Sequence, residues 1–475
     1  MSKLARVLPS AVAWISSRLQ AGAPVEGANP YLEGAFAPVH EERTETSLRV
    51  TGRIPRDLEG LFTRIGPNPV RPPNPGSYHW FAADGMVHGL RLSDGEALWY
   101  RNRWVGGDET QRALGRPPLG GPRHGVFDVV NTNVLAHGGR IWAVNEGGAI
   151  PAELDGGLDT VGRSLLSSTL SRPFTAHPRL DPLTGELHAI CYDGGPRRAA
   201  DHVVIGADGD VKRIVRIPLK HAPMIHDCAI TARYVLILDL PVSFSFRAFL
   251  RGSAMPYRWN DAHPARIGLL PRAGDADDVI WCGIDPCFVY HVANAYEDEH
   301  GCVVLHAVVH DKVFDPPTHR AAQRRITFEE WIVDPRSGSV ARRVLADEPQ
   351  EFPRIDESRT GTRHRYVHTV GFRIGGRESQ PLFRYDLLTG RRERHDFGPG
   401  RIPGEAVFVK RRAGSSEEDG WLLTYIHDET TQTSDVVILD ASDVAAGPIA
   451  TVHLPTRVPM GFHSTWIARP AADSR

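Results

Sequence analysis

Short apolar segments recur along almost the whole chain, and each ends near Asp, Gly, Pro or Asn. Representative segments read YVLILDLP, GCVVLHAVVH, ITFEEWIVD, WLLTYIH and DVVILDAS. Short runs that are rich in β-branched and apolar residues and bounded by turn formers are typical of β-strands. The chain is therefore predicted to be almost entirely β. Helix is expected only at about residues 4–20 and at 160–171, where the apolar residues have helical spacing.

Three of the connecting stretches share one hairpin pattern, namely LDPLTGELHAI, VDPRSGSVARRVL and YDLLTGRRERHDF. Each combines an Asp, a Thr-Gly or Ser-Gly turn and a resumed strand, which is typical of the outer hairpin of a propeller blade. No linker or low-complexity stretch divides the 475 residues. The repetition favours one radial β-propeller that closes on itself. An array of β-sandwiches is the alternative, but it has no common axis on which distant residues could meet.

The charge balance and the cysteines limit the partners and the compartment. With 55 Lys and Arg against 57 Asp and Glu, the net charge of −2 gives no basis for a nucleic-acid footprint. The five cysteines form no CxxC pair, so free thiols in the cytoplasm are expected.

The N-terminal apolar run is broken by Ser and Pro and followed by Arg18, so it does not predict an export signal. No other apolar run has the length of a membrane span.

Four histidines stand in short contexts that suit a metal ligand. They are His177 in FTAHPRLDP, His226 in APMIHDCAIT, His291 in CFVYHVANAYED and His463 in MGFHSTW. Because they are so widely spaced, they can meet only in a closed, roughly circular fold. Four imidazoles without a thiolate or carboxylate favour a redox-active first-row metal such as iron(II), although imidazole also suits copper, nickel and zinc. The set therefore predicts a metal centre suited to O2 chemistry.

Residue chemistry alone does not select these four from the 22 histidines of the chain. His306 and His310 in HAVVH, like His364 and His368 in HRYVH, have the i,i+4 spacing of a metal site on a helix. Their valine-containing surroundings predict strands instead. A structural role is therefore predicted for these two pairs.

Nine strings follow one another between about Tyr31 and Trp466: RIGPNP, YHWFAADGMVHG, NEGG, TAHP, MIHDCAIT, FVYHVANAYE, EFPRID, GEAVFV and GFHSTW. In their order and spacing they resemble the carotenoid cleavage oxygenase family. The resemblance implies a seven-bladed β-propeller with a loop and helix cap over the metal-bearing axial face. It implies a non-haem iron(II) dioxygenase that splits a carbon–carbon double bond with O2. An N-terminal helical extension (1–30) and one catalytic domain (31–475) with cap insertions, including about 240–260, are expected.

The same resemblance implies roles for individual residues. The implied iron ligands are His177, His226, His291 and His463. The carboxylates implied to orient these imidazoles are Glu146, Glu351 and Glu405, from NEGG, EFPRID and GEAVFV. Thr132 is expected beside an open coordination position, and the candidate substrate contacts are Phe81, Asn145, Phe288 and Tyr290. Without the motifs, the glutamates would be surface ion-pair partners, Thr132 an ordinary strand residue and the aromatic residues part of the core.

Two departures from the family pattern stand out. Stilbene-cleaving members typically carry Lys immediately before the NEGG glutamate, where it can bind a phenol oxygen, and here Asn145 takes that place. A carotenoid or apocarotenoid is therefore the predicted substrate, with a lignostilbene-like or resveratrol-like stilbene as the alternative. A metal-bearing propeller that binds or isomerises its ligand without O2 cleavage is a third hypothesis. The usual RNGPNP string also has Ile65 in place of Asn, a change that the sequence does not explain.

The segment LPVSFSFRAFLRGSAMPYRW, residues 240–259, combines several Phe and Leu residues with Arg247 and Arg251. An apolar patch rimmed by arginine is suited to peripheral contact with a membrane, where polyenes dissolve. A cap helix packed on the propeller is an equally good interpretation.

Overall fold

The structure is a computed structural model that describes residues 29–124, 128–164, 174–314, 325–373 and 379–468. The helix predicted at 4–20 lies outside these residues, as does most of the N-terminal extension. The helix predicted at 160–171 is wrong where it is described, because Thr160–Arg163 forms an edge strand paired with Ala152–Leu154. There the ladder hydrogen bonds of the sheet override the helical spacing of the side chains.

Seven antiparallel sheets form the seven blades of a β-propeller, as the sequence predicts. Blade II consists of β6 (Asn133–His137), β7 (Arg140–Val144), β8 (Ala152–Leu154) and β9 (Thr160–Arg163). Blade III consists of β10 (Arg179–Leu180), β11 (Leu187–Tyr192), β12 (Ala199–Ile205) and β13 (Val211–Pro218). Blade IV consists of β14 (Cys228–Ile230), β15 (Tyr234–Asp239), β18 (Arg266–Pro271) and β19 (Ile280–Gly283). Between β15 and β18 lies a separate hairpin of β16 (Val242–Phe244) and β17 (Tyr257–Trp259).

Blades V and VI repeat the four-stranded plan. Blade V consists of β20 (Phe288–Glu297), β21 (Val303–His310), β22 (Ile326–Asp334) and β23 (Ser339–Ala346). Blade VI consists of β24 (Gln350–Arg354), β25 (Tyr366–Gly371), β26 (Leu382–Asp386) and β27 (Arg391–His395). The first strand of each blade is the inner one, since β10 contacts β14, β14 contacts β20 and β20 contacts β24.

The remaining two blades close the ring by joining early and late parts of the chain. Blade I pairs β33 (Ser464–Ala468) with β3 (Gly60–Pro67), followed by β4 (Gly85–Ser93), β5 (Glu96–Trp104) and β1 (Arg43–Glu45). Blade VII contains β28 (Arg401–Pro403), β29 (Val407–Lys410), β30 (Gly420–Asp428), β31 (Thr433–Asp440), β32 (Pro448–Leu454) and β2 (Arg49–Gly52). Contacts of β33 with β29 and β6 complete the inner circle. Radial repetition of this kind leaves only short sheet edges, at the outer strands of the blades.

Helices are few and short in the described chain. The α-helices are α1 (Asp108–Ala113) and α2 (Phe246–Leu250), and the 3₁₀ turns are Pro30–Leu32, Gly34–Phe36, Trp80–Ala82, Ala276–Asp278, Glu357–Arg359 and Val444–Ala446. Helix α2 lies in the insertion between β16 and β17. None of the helices in the described ranges is both long and apolar enough to cross a bilayer.

Two of the three predicted hairpins are outer hairpins, joining β22 to β23 and β26 to β27. The LDPLTGELHAI turn instead joins β10 to β11, the inner pair of blade III. The glycines of the three turns, Gly185, Gly338 and Gly390, all have φ of +71°, a conformation that favours glycine at any such turn. The turn chemistry therefore predicts a hairpin but not its position in the blade.

Hydrophobic side chains of neighbouring blades form the core between the sheets. Ile65, the unusual residue of the RIGPNP string, is fully buried with Leu61 and Val87 of blade I and Ile141 of blade II. An apolar side chain suits this position, because a polar one would need a buried hydrogen-bond partner. Ile65, which stands in place of the usual Asn, therefore contributes to the apolar packing between blades I and II.

Candidate metal centre

The four histidines singled out in the sequence come together near the starts of inner strands from four blades. His177 lies two residues before β10, His226 two residues before β14 and His463 immediately before β33. Only His291 lies within a strand, where the β20–β21 register shifts between Val289 and Val292. A bulge of this kind redirects a side chain. The four histidines thus come from the inner strands of four blades or from the residues directly before them.

The four imidazole rings form a compact, buried cluster. Ring centroids of His177 lie 4.6 Å from those of His226 and His463, and the centroids of His291 and His463 are 4.9 Å apart. Nε2 of His226 lies 3.3 Å from Nε2 of His291. Nε2 of His177 is buried and has no hydrogen-bond partner. A buried nitrogen left unpaired beside three other imidazoles fits a metal ligand, because an orphaned polar atom otherwise destabilises the fold.

Glutamates lie behind three of the four rings. Nδ1 of His226 lies 2.5 Å from Glu146 Oε2, and Nδ1 of His291 lies 2.7 Å from Glu351 Oε2. Nδ1 of His463 lies 3.2 Å from Glu405 Oε1. Glu351 and Glu405 can accept hydrogen bonds from Nδ1–H of His291 and His463, which fixes the tautomer and leaves Nε2 facing the cluster. Glu146 lies within ion-pair distance of His226 Nδ1, but the two groups are not aligned for a hydrogen bond. The glutamates thus occupy positions consistent with the orienting role implied by the sequence resemblance.

A neighbouring glutamate opposes the effect of burial on the pKa at His226 and His463, but not at His177. Burial lowers the pKa of His177 far below its usual value, and the neighbouring imidazoles lower it further. Burial also lowers the pKa of His463, against the opposing effect of Glu405. For His226 the effect of burial is outweighed by Glu146, so its pKa is raised. Neutral rings at His177 and His463 are the protonation state that a metal ligand requires.

The glutamates are themselves held by residues that the sequence did not reveal. His310 Nε2 lies 2.5 Å from Glu351 Oε1, and Tyr192 donates its hydroxyl hydrogen to Glu146. Arg354 Nη1 lies 3.1 Å from Glu405 Oε1. Despite burial, Arg354 and His463 lower the pKa of Glu405 to about 2. A signal for Arg354 was present in EFPRID, three residues after Glu351, whereas His310 and Tyr192 come from strands that no local pattern links to the site.

The residue after Glu351 has an unusual backbone conformation. Phe352 has a φ of +55°, which is rare for a residue other than glycine. This conformation directs the Phe352 N–H to Glu351 Oε2, at 2.9 Å, and stacks its ring on His291 with centroids 5.1 Å apart. Strain of this kind tends to occur at functional sites. Here it fixes both the His291 ring and the Glu351 carboxylate behind it.

A cavity of about 1180 Å³ opens onto the cluster and extends to the cap insertion. Its aromatic walls include Phe81, Tyr290, Phe314, Phe352, Phe372 and Phe462, and the cap contributes Phe244, Phe246, Phe249, Met255 and Tyr257. Phe288 is not among the described residues that line the cavity. Its side chain is 1% exposed and packs behind Tyr290, with the two ring centroids 4.8 Å apart. Any contact of Phe288 with a substrate is therefore indirect, which corrects the expectation from the sequence.

Thr132 and Asn145 also line the cavity, and their side chains are hydrogen-bonded to each other. The Thr132 hydroxyl lies 2.8 Å from Asn145 Oδ1 and 2.9 Å from Asn131 Oδ1. Asn145 Nδ2 donates to the carbonyl of Glu146 at 2.9 Å. With its hydroxyl engaged in this way, Thr132 has only its methyl group left for apolar contact with a ligand.

The described chain is thus a seven-bladed propeller with a candidate metal centre of buried imidazoles that converge from four blades. The chain belongs to the carotenoid cleavage oxygenase family. The family model described as retinal pigment epithelial membrane protein (RPE65) matches residues 36–468.

Individual relatives agree with this membership. The carotenoid cleavage oxygenase of Mycobacterium tuberculosis is 40% identical over 93% of this chain and 98% of its own length. The carotenoid 9,10(9',10')-cleavage dioxygenase of Crocus sativus is 33% identical over 92% of this chain and 89% of its own. The crystal structure of Pseudomonas brassicacearum lignostilbene dioxygenase has a TM-score of 0.84 and 28% identity, covering 94% of this chain and all of that one. Cobalt-substituted Synechocystis ACO has a TM-score of 0.82 and 26% identity, covering 93% and 98%.

Proposed function

We propose that this protein is an iron(II)-dependent dioxygenase that cleaves a carbon–carbon double bond of a carotenoid or apocarotenoid with O2 and yields two carbonyl products. The observation that carries the proposal is the cluster of His177, His226, His291 and His463 at the end of a large aromatic cavity. Relatives named as carotenoid cleavage enzymes support the same substrate class.

The proposed mechanism gives each group of residues a separate task. The four histidines would hold iron(II), which when bound supplies the binding and activation of O2. Glu146, Glu351 and Glu405 keep three of the rings oriented and partly offset the charge of the cation. The aromatic walls bind a polyene through apolar contact and exclude water. Since the metal carries the chemistry, no side chain has to act as nucleophile or general base.

Asn145 supports a polyene as the substrate. Its amide is committed to Thr132 and to the Glu146 carbonyl, and it has no charge with which to bind a phenolate. A stilbene-type double-bond dioxygenase is the second candidate, and the similarity to lignostilbene dioxygenase favours it. The two substrate classes share the metal centre and differ in what the cavity walls must recognise.

We further propose that the protein is cytoplasmic and contacts a membrane peripherally through α2. Phe246 and Leu250 are 62% and 64% exposed, and Phe246 and Phe249 also belong to the cavity wall. Arg247 and Arg251 are exposed beside them. Apolar side chains at the entrance of a cavity, next to cationic ones, suit the withdrawal of a polyene from an anionic bilayer.

The test is to reconstitute the metal-free protein with iron(II) and supply ¹⁸O2 with an apocarotenal, a carotenoid and a hydroxystilbene in parallel. Two carbonyl fragments from a polyene, with matching O2 uptake, are expected, and the His226→Ala variant should form none. Preferential cleavage of the hydroxystilbene would support the second candidate. Isomerised substrate without O2 uptake would refute the dioxygenase proposal.

A further inference from the structure

Beside the histidine cluster, a buried ion pair connects three of the segments that carry the ligands. Arg179 Nη2 lies 2.5 Å from Asp227 Oδ2, and the two side chains are 23% and 1% exposed. Arg179 stands two residues after His177, and Asp227 stands immediately after His226. The pair therefore joins blades III and IV directly beside two of the four histidines.

Both partners extend the connection through backbone groups. Asp227 Oδ2 accepts from the N–H of Val292 at 2.9 Å, and Asp227 Oδ1 accepts from the N–H of Cys228 at 2.7 Å. Arg179 donates from Nε to the Cys228 carbonyl at 2.9 Å and from Nη2 to the Val292 carbonyl at 2.8 Å. Since Val292 follows His291, blade V joins the same network. The Arg179 guanidinium, two residues after His177, and the Asp227 carboxylate thus contact backbone groups beside His226 and His291.

We propose that Arg179 and Asp227 are positioning residues, which set the relative placement of His177, His226 and His291 and thereby the geometry and affinity of the metal centre. The proposal rests on the four-histidine site of the proposed function. Its physical basis is that three separate blades must hold their imidazoles to within a fraction of an ångström for a rigid site. A bifurcated, charge-assisted network is stronger and more directional than single neutral hydrogen bonds.

The chain contains a matched control for this network. Arg272 Nη1 lies 2.6 Å from Asp181 Oδ2, and these side chains are 21% and 7% exposed. This pair also joins blades III and IV, but Arg272 follows β18 and adjoins no histidine of the cluster. A general loss of stability should affect both pairs alike, whereas a loss of metal geometry should follow only the Arg179 pair.

The experiment compares Arg179→Gln, Arg179→Lys and Asp227→Asn with Arg272→Gln. Each protein is prepared without metal as the full chain, and cobalt(II) is then added as a spectroscopic probe of the site. The cobalt dissociation constant, measured by competition with a chelator, should rise about 10-fold or more in Arg179→Gln and Asp227→Asn. The visible cobalt spectrum should change in the same variants. Arg179→Lys, which keeps the charge but not the forked donor, should be intermediate. Arg272→Gln should match wild type in both measurements.

Three outcomes separate the ideas. If the Arg179 and Asp227 variants bind cobalt with wild-type affinity and spectrum, the positioning role is overturned. If the Arg272→Gln variant changes as much as Arg179→Gln, the effect is general destabilisation and the proposal is again wrong. If wild type itself takes up no cobalt, the four-histidine site of the proposed function fails. Should Arg179→Gln not fold, Arg179→Lys and Asp227→Asn decide the same question.

Discussion

At the scale of single residues, His177 is held differently from the other three histidines. Within the described chain it forms no ion pair with a carboxylate, whereas each of the others has a glutamate at Nδ1. Its backbone N–H donates to Thr175 Oγ1 at 3.3 Å, and its carbonyl lies 3.5 Å from Cys228 Sγ. The backbone of His177 is thus held by Thr175 and Cys228.

Removing one imidazole should empty the metal centre. We expect His226→Ala to lose nearly all iron, and Glu405→Ala to remain folded with metal affinity or turnover weakened about 10–100-fold, because Nδ1 of His463 would lose its acceptor. Elemental analysis and chelator competition measure both effects. His368→Ala is the control, since His368 is also buried, at 1% exposed, but lies on β25 of blade VI, which carries none of the four histidines. Normal iron stoichiometry in His226→Ala would refute the assignment.

Asn145→Lys should shift activity from apocarotenals toward hydroxystilbenes. A lysine can form a charge-assisted hydrogen bond with a phenolate, worth about 1.5–3 kcal/mol, which a polyene cannot use. The substitution also removes one of the two oxygens that face the Thr132 hydroxyl, Asn145 Oδ1, and leaves Asn131 Oδ1. Asn145→Met therefore serves as an uncharged control of about the same length as lysine. The kcat/KM for hydroxystilbenes, divided by the kcat/KM for apocarotenals, should rise only in the Asn145→Lys variant. A wild-type kcat/KM for hydroxystilbenes above that for every apocarotenal would contradict this interpretation.

At the scale of elements, α2 is short but well defined. Ser245 caps its N-terminus by accepting from the Ala248 N–H at 3.3 Å. Phe246 and Leu250 are four residues apart and therefore share one face, which is the exposed one. Ala248 is buried and Phe249 lines the cavity. The helix thus contacts the propeller with one side and presents two apolar side chains with the other.

The exposed face of α2 predicts membrane binding that can be removed by substitution. Phe246→Ser/Leu250→Ser should abolish most cosedimentation with anionic liposomes, because about 1.5–3 kcal/mol is lost for each large apolar side chain no longer buried. Because Phe246 also lines the cavity, activity on detergent-dispersed substrate is compared in Leu250→Ser alone, where it should persist. Leu183→Ser/Leu388→Ser is the control, since these side chains are 85% and 74% exposed in blade turns. Equal sedimentation of the α2 variant and wild type would rule out this contact.

At the scale of the whole molecule, the sequence predicts what is local and misses what lies between blades. Strands and hairpins follow from apolar runs and Thr-Gly or Ser-Gly turns, and the family strings identify the histidine cluster. The partnership of His310 with Glu351 joins β21 to β24, and no periodicity within either strand encodes it. Phe288 and Tyr290 have similar contexts, yet only the latter lines the cavity. That difference arises from the β20 bulge and the packing of adjacent blades.

The interior contains histidines that are buried in the neutral state. Burial lowers the pKa from 6.5 to about 3 for His88, His202 and His368. Below pH 6.5 the unfolded chain therefore binds protons that the folded protein does not. Stability should consequently decrease as pH falls from 6.5 toward 3, by about 1.4 kcal/mol per pH unit for each such group.

Thermal unfolding of the metal-free protein between pH 8 and pH 5 checks this dependence. The midpoint should be nearly constant above pH 7 and fall below pH 6.5. His368→Gln should give a shallower fall, because one buried group that must remain neutral has been removed. A midpoint that stays constant down to pH 5 in wild type would show that the buried histidines do not control acid stability.

The pairing of β33 with β3 also affects the time at which the metal centre can form. During synthesis the segments with His177, His226 and His291 leave the ribosome long before His463, which immediately precedes β33. A nascent chain that ends before residue 463 has only three of the four imidazoles, and blade I lacks its innermost strand. A chain that includes His463 should therefore retain a metal ion more tightly than a fragment that ends before it. Translational pausing just upstream of β33 should delay metal binding without altering the preceding blades.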